Sequence, residues 1–227
     1  MRDLSISFLT QQVPPPFAHG YTLSIYQQGK VWEIKFQLEY LQRESLEEEE
    51  ILEEGFSGND DFEWTGKLPE VWVQVLDKWL KASAFGAEQP KEACNHLFVE
   101  YTNNGKSGFP MNFQEWEYVL EELIQAIYEM ANKERPFMLQ LVNAKQGLDI
   151  TLHARFATRS FTRKGGEHPL PWEYLKVVLG HIENLDIIEI PKTKPAQKGY
   201  WLTFDREQYF EIKSEAGVTE FVELIQK

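Results

Sequence analysis

The sequence predicts an α+β fold in which antiparallel sheets carry helices on one face, built by internal duplication of a hairpin, helix, strand, helix unit. Three observations lead there. Two segments alternate apolar and polar residues with a period of two around a glycine-containing turn. Several others place apolar residues at helical spacing. The same order of features then recurs in the two halves of the chain. The 227 residues, 42% hydrophobic and 14% aromatic, suffice for one or two domains with sizeable cores and exclude a disordered chain.

From Tyr21, Leu23 and Ile25 run to a turn at Gln28-Gly29, after which Ile34, Phe36, Leu38 and Tyr40 alternate with Glu33, Lys35, Gln37 and Glu39. That pattern is a hairpin with one buried face. Leu68-Pro69 opens a helix whose stripe reads Trp72, Val75, Leu76, Trp79 and Ser83, with Pro where an N–H would have no partner anyway. Leu97 to Tyr101 reads as a strand. Asn112 with Glu115 resembles a capping box, opening a long helix with Trp116, Leu120, Leu123, Ile127 and Ala131 on one face.

The second half repeats these units. Phe137 to Val142 leads to a turn at Gln146-Gly147, and Ile150, Leu152, Ala154 and Phe156 alternate with polar residues. Leu170-Pro171 opens a helix carrying Tyr174, Val177, Val178, His181 and Ile182, followed by a strand at Tyr200 to Phe204 and a terminal helix with Phe221, Leu224 and Ile225. Matching features lie 118 residues apart for Gly29 and Gly147, 102 for Pro69 and Pro171, and 101 for Ile124 and Ile225. The first offset places about sixteen extra residues between hairpin and helix in the first half. The strand-like run Leu185 to Ile190 has no counterpart. The expected lobes are residues 1–134, with an acidic insertion at about 44–66, and residues 135–227.

Charge is concentrated in that insertion. The formal net charge is −13, from 23 basic and 36 acidic residues, yet ten of the acidic ones lie between Glu44 and Glu63 with no Lys or Arg among them. Without them the chain has a net charge of −3. Ser45 with Glu48 resembles a capping box and Gly55 a helix stop, so a short solvated helix is expected at about Leu46 to Glu54. Glu47, Glu48, Glu50, Asp60, Asp61, Phe62 and Trp64 are candidates for an acidic, aromatic surface that docks a basic protein partner. The alternative is a solvated insertion pinned by its apolar residues.

The first half has a net charge of −14 and the second +1. Arg155, Arg159, Arg163 and Lys164 form a basic group that, with His153 on the polar side of its strand, could attract an anion, line a pocket or promote self-association. Ordinary surface charge paired to nearby carboxylates explains the same residues. Overall charge disfavours nucleic acid and anionic membranes as partners.

No catalytic motif survives inspection. Gly105-Lys106-Ser107 lies in the context of a phosphate loop, but Glu100 stands where the first glycine belongs. Asn59 and Phe109 occupy the second glycine position of two hydrolase-elbow-like stretches. Asn59, Asp61 and Glu63 alternate as in a calcium loop, but Trp64 replaces its essential glycine. The five histidines, His19, His96, His153, His168 and His181, lack the spacing of zinc enzymes, and His181 reads as a core histidine. Neither metal nor cofactor is expected. Trp72, Trp79, Trp116 and Trp172 read as helix core, whereas Trp64 is the tryptophan expected nearest the acidic surface. The single Cys94 fits a reducing compartment, and the chain shows neither a secretory pattern nor ~18 consecutive apolar residues, so a cytoplasmic, membrane-free protein is expected.

The resulting expectation is a non-catalytic interaction protein, adaptor-like or inhibitor-like, acting through its acidic insertion. The competing expectation is an enzyme or small-ligand-binding protein with a cleft between two similar lobes.

Overall fold

The computed structural model describes residues 3–102, 105–163, 168–213 and 215–226. The fold is α+β, with two antiparallel sheets and, among the described residues, five α-helices. The chain divides into two compact units, Met1–Ala131 and Asn132–Lys227.

In the first unit, strands β1 (Asp3–Leu9), β2 (His19–Gln28), β3 (Val31–Tyr40), β4 (Phe62–Lys67), β5 (Phe85–Gly86), β6 (His96–Tyr101) and β7 (Lys106–Pro110) form one sheet. Their order is β4-β3-β2-β1-β6-β7-β5. Register puts Ile6 opposite Leu23 and Leu23 opposite Phe36, so residues of one parity across the sheet share the buried face. Helices α2 (Glu70–Ala82) and α3 (Phe113–Met130) supply the other half of that core through Trp72, Leu76, Leu80, Trp116, Leu120, Leu123 and Ile127. The buried indole N–H of Trp116 donates to Ser83 Oγ at 2.8 Å, so the largest side chain of α3 leaves no orphaned donor.

Three local expectations change. The α2 stripe is Trp72, Val73, Leu76 and Leu80, and Trp79 is only half-buried, because the helix is rotated toward its Leu80 side. Helix α1 (Glu48–Glu53) begins later than Ser45 suggests, since Ser45 closes a 3-10 turn by donating to Gln42 O. The reciprocal cap comes from Glu50, whose carboxylate accepts from the Glu47 N–H at 2.9 Å. Phe62 to Gly66 lie outside the insertion, because β4 pairs with β3 along Phe62 to Lys67. The inserted chain is therefore residues 41–61.

The second unit holds β8 (Phe137–Asn143), β9 (Leu148–Arg155), β10 (Ser160–Arg163), β11 (His168–Leu170), β12 (Tyr200–Thr203) and β13 (Phe210–Ile212) in the order β11-β10-β9-β8-β12-β13. Helices α4 (Glu173–Glu183) and α5 (Glu215–Gln226) pack on the face bearing Leu139, Leu141, Leu152, Ala154, Phe161 and Leu202. Leu185 to Ile190 forms no strand and makes only an isolated bridge from Ile187 to Ile212. Tyr174 and Val177 of α4 are exposed, while Leu175 and Val178 are buried. His181 is half-buried against the Phe221 ring, not enclosed in the core.

Each unit runs through four strands, a helix, two strands and a helix, with the added α1 and β5 confined to the first. Strand orders β4-β3-β2-β1-β6-β7 and β11-β10-β9-β8-β12-β13 correspond position by position. In this correspondence β2 and β3 match β9 and β10, so Gly29 and Gly147 occupy different turns and their offset of 118 pairs unrelated features. The acidic segment, between β3 and β4, corresponds to residues 164–167 between β10 and β11.

Ser83→Ala should cost about 1–3 kcal/mol, because it strands the buried Trp116 N–H. Trp116→Phe should then cost less in the Ser83→Ala background than in the wild type. Denaturant unfolding of the three variants measures both effects.

Candidate functional site

The acidic segment is anchored by one buried cation. Arg43 is 8% exposed, and its guanidinium carbon lies 3.8 Å from the Tyr40 ring centre and 4.4 Å from that of Phe56. Two aromatic faces next to a delocalised cation give an attractive, partly desolvated contact. Nε donates to Pro16 O at 3.1 Å, and Nη1 donates to Ser57 O at 3.2 Å and to Asp60 Oδ2 at 2.6 Å. Asp60 also accepts from the Ser57 N–H at 2.8 Å and the Ser57 hydroxyl at 2.5 Å. Burial pushes the Asp60 carboxyl up, but the hydrogen bonds from Ser57 and Arg43 outweigh it and hold the group below its ordinary range.

This clamp redistributes the proposed partner-binding residues. Asp60 is engaged by Arg43, and Asp61 accepts from the Tyr40 N–H at 2.8 Å. Phe62 packs on Phe36 and Tyr128, and Trp64 lies over Gly66 on the same sheet face. All four help to hold the segment in place, and Asp60, Phe62 and Trp64 are half-buried, whereas Asp61 stays exposed. The expectation of one acidic-aromatic surface is corrected for Asp60, Phe62 and Trp64, which are engaged within the fold. Glu47, Glu48 and Glu50 do face solvent, together with Glu49, Glu53 and Glu54. Ile51 is buried beneath them, whereas Leu52 stands 54% exposed among the carboxylates.

A second arrangement lies on the helix-free face of the second sheet. The alternation of β9 sends Ile150, Leu152 and Ala154 to the core and Thr151, His153 and Arg155 to the opposite side. Register places His153 between Met138 of β8 and Thr162 of β10, and Arg155 opposite Ser160. Together with Pro136 and Thr158 these residues line a concavity of about 690 Å³. Partial burial, then the positive charges of Arg206 and Arg155, lower the proton affinity of His153.

The basic group read from the sequence is split by the sheet. Arg163 is opposite Leu152, on the helix-covered side, and Arg159 stacks over Trp172 with its guanidinium carbon 5.1 Å from the ring centre. Neither joins His153 and Arg155, and Lys164 lies outside the described residues. The other positive charge that acts on His153 is that of Arg206. It sits in a turn after β12 in which Thr203 Oγ1 accepts from the Arg206 N–H at 2.8 Å and Asp205 Oδ1 accepts from the Glu207 and Gln208 N–H groups. The Thr203-Asp205 spacing announces a turn, but nothing local says that its arginine approaches a histidine fifty residues earlier.

Among the described residues, no group of three His, Cys, Asp or Glu side chains is placed to hold a metal ion. Comparison with protein-family models, with curated proteins and with solved structures finds no match to this chain.

Arg43→Met should destabilise the first unit by about 2–3 kcal/mol, below the ~3–5 kcal/mol of a fully buried pair, because Asp60 keeps part of its surface in water. Thermal melts check this. Asp60 titrates lower when folded than its ordinary value of 3.8, so its contribution is complete above that value and lost as pH falls through the lower folded value. Acid unfolding below about pH 4 should therefore be less steep in Asp60→Asn than in the wild type.

Proposed function

We propose that the chain is a non-catalytic, intracellular interaction protein, adaptor-like or inhibitor-like, that docks a basic partner on α1. The observation that carries this reading is the clamp at Arg43. It fixes both ends of the segment while the six glutamates around α1 remain in solvent with no cation among them. A segment that merely needed to be soluble would not require a buried guanidinium, two flanking rings and three guanidinium hydrogen bonds to hold it.

The energetics define what the partner must supply. Each exposed ion pair contributes at most ~1 kcal/mol, so charge alone gives attraction and fast encounter but little residence time. Leu52, exposed at the centre of the carboxylates, gives the apolar anchor around which such a rim can close. The partner surface is therefore a basic rim around a small apolar pocket. An intracellular setting is supported by Cys94, a free and exposed thiol. Among the described residues, no helix is long and apolar enough to cross a membrane. The shared connectivity of the two units supports duplication of an ancestral unit, with α1 added to one copy.

Affinity purification at ~0.1 M and ~1 M salt, where the Debye length falls from about 10 to about 3 Å, tests the proposal. A protein with a basic surface should be retained at low salt and released at high salt. It should be lost from the Glu47→Gln, Glu48→Gln, Glu50→Gln triple variant at both. Leu52→Ala should weaken retention at low salt. An unchanged set of co-purifying proteins with the triple variant overturns the proposal.

A further inference from the structure

The helix-free face of the second sheet carries a chemistry unrelated to the acidic segment. Two arginines from separate elements, Arg155 at the end of β9 and Arg206 in the turn after β12, both lie near enough to His153 to oppose its protonation. Neither is paired with a carboxylate among the described residues. Among the described residues, no acidic side chain lines the concavity that holds Arg155 and His153, although the chain as a whole carries a formal charge of −13. Mutual repulsion of unneutralised cations around a partly buried imidazole is a cost that a bound anion removes.

The remaining walls select the kind of anion. Ser160 and Thr162 present hydroxyls on the same face as His153, and the Thr158 and Ser160 hydroxyls are hydrogen-bonded to each other at 2.9 Å. A phosphate group, with three acceptor oxygens, matches the Arg155 guanidinium fork, an imidazole N–H and adjacent hydroxyls better than a carboxylate with two oxygens. About 690 Å³ exceeds what a bare anion needs and falls in the range of small-molecule sites, ~300–1,000 Å³. Met138 and Pro136 give the apolar wall for an organic remainder. Among the described residues the lining holds no aromatic ring on which a base could stack, which disfavours single-stranded nucleic acid.

We propose that this concavity binds a small phosphate monoester, with the phosphate held by Arg155 and the Ser160 and Thr162 hydroxyls beside His153 and the organic part against Met138. Its chemistry is independent of docking at α1, so either can fail without the other.

The test uses the full chain and follows the His153 imidazole and the backbone amides by NMR during titration with inorganic phosphate, glycerol 3-phosphate, glycerol and a short RNA oligonucleotide. Both phosphates should give saturable shifts at His153, Thr162 and Arg155, with glycerol 3-phosphate the tighter, and glycerol should give none. Arg155→Gln should weaken binding about tenfold or more, the loss of one charge-assisted contact, and Arg206→Gln should weaken it less, the loss of a nearby positive charge. Arg155→Lys should lie between wild type and Arg155→Gln, because charge is kept and the fork is lost. Amide spectra report whether each variant is folded, and the wild-type shift map decides alone if one is not. The absence of saturable shifts at His153 overturns the proposal. So does equal affinity in the folded Arg155→Gln, Arg206→Gln double variant, or binding of the oligonucleotide without the monoester.

Discussion

Each sheet of this protein is covered by helices on one side only, and that constraint sorts nearly every residue into its role. An antiparallel strand alternates its side chains between two faces, so covering one face commits half of each strand to packing and leaves the other half open. In β9 this single rule buries Leu152 and Ala154 and leaves His153 and Arg155 outside the core. In β4 it turns Phe62 and Trp64 inward toward α3 while Glu63 and Lys67 face water. Function, where the fold permits it, has to be found on the open halves and in what is attached between strands.

The acidic segment shows how an attachment is made rigid without a core of its own. A six-residue helix such as α1 buries only Ile51 and is too short to be stable alone. Its order comes from outside, through Arg43. That guanidinium lies under the segment, reaches Pro16, Ser57 and Asp60 from one position, and packs against both Tyr40 and Phe56. A lysine has neither the planar stack nor the several donors in fixed directions. The net charge of −13 is thus partly a local design, in which one buried cation supports a row of exposed anions.

Much of the fold was legible because its signals are periodic. The Leu23 to Tyr40 hairpin and the helices after Pro69 and Pro171 follow from alternation, stripe and proline position alone. Other features depend on tertiary context. β4 is hidden because Phe62-Glu63-Trp64-Thr65-Gly66 follows an acidic run and ends in a weak strand former, so only pairing with β3 reveals it. Leu185 to Ile190 has the composition of a strand but lies where one bridge to β13 is all the pairing it obtains. The separation of Arg163 from His153 was readable by parity, given that Phe161 is buried. The approach of Arg206 was not, because a turn after β12 delivers it from a distant stretch of chain.

Gly66 carries a consequence for how the sequence can change over time. The Trp64 ring occupies the volume that a Cβ at position 66 would need. Related chains should therefore show these two positions varying together. A smaller residue at 64 releases position 66 to accept alanine or a larger side chain. With tryptophan kept at 64, a side chain at 66 requires the indole to move, so this edge strand couples the two positions.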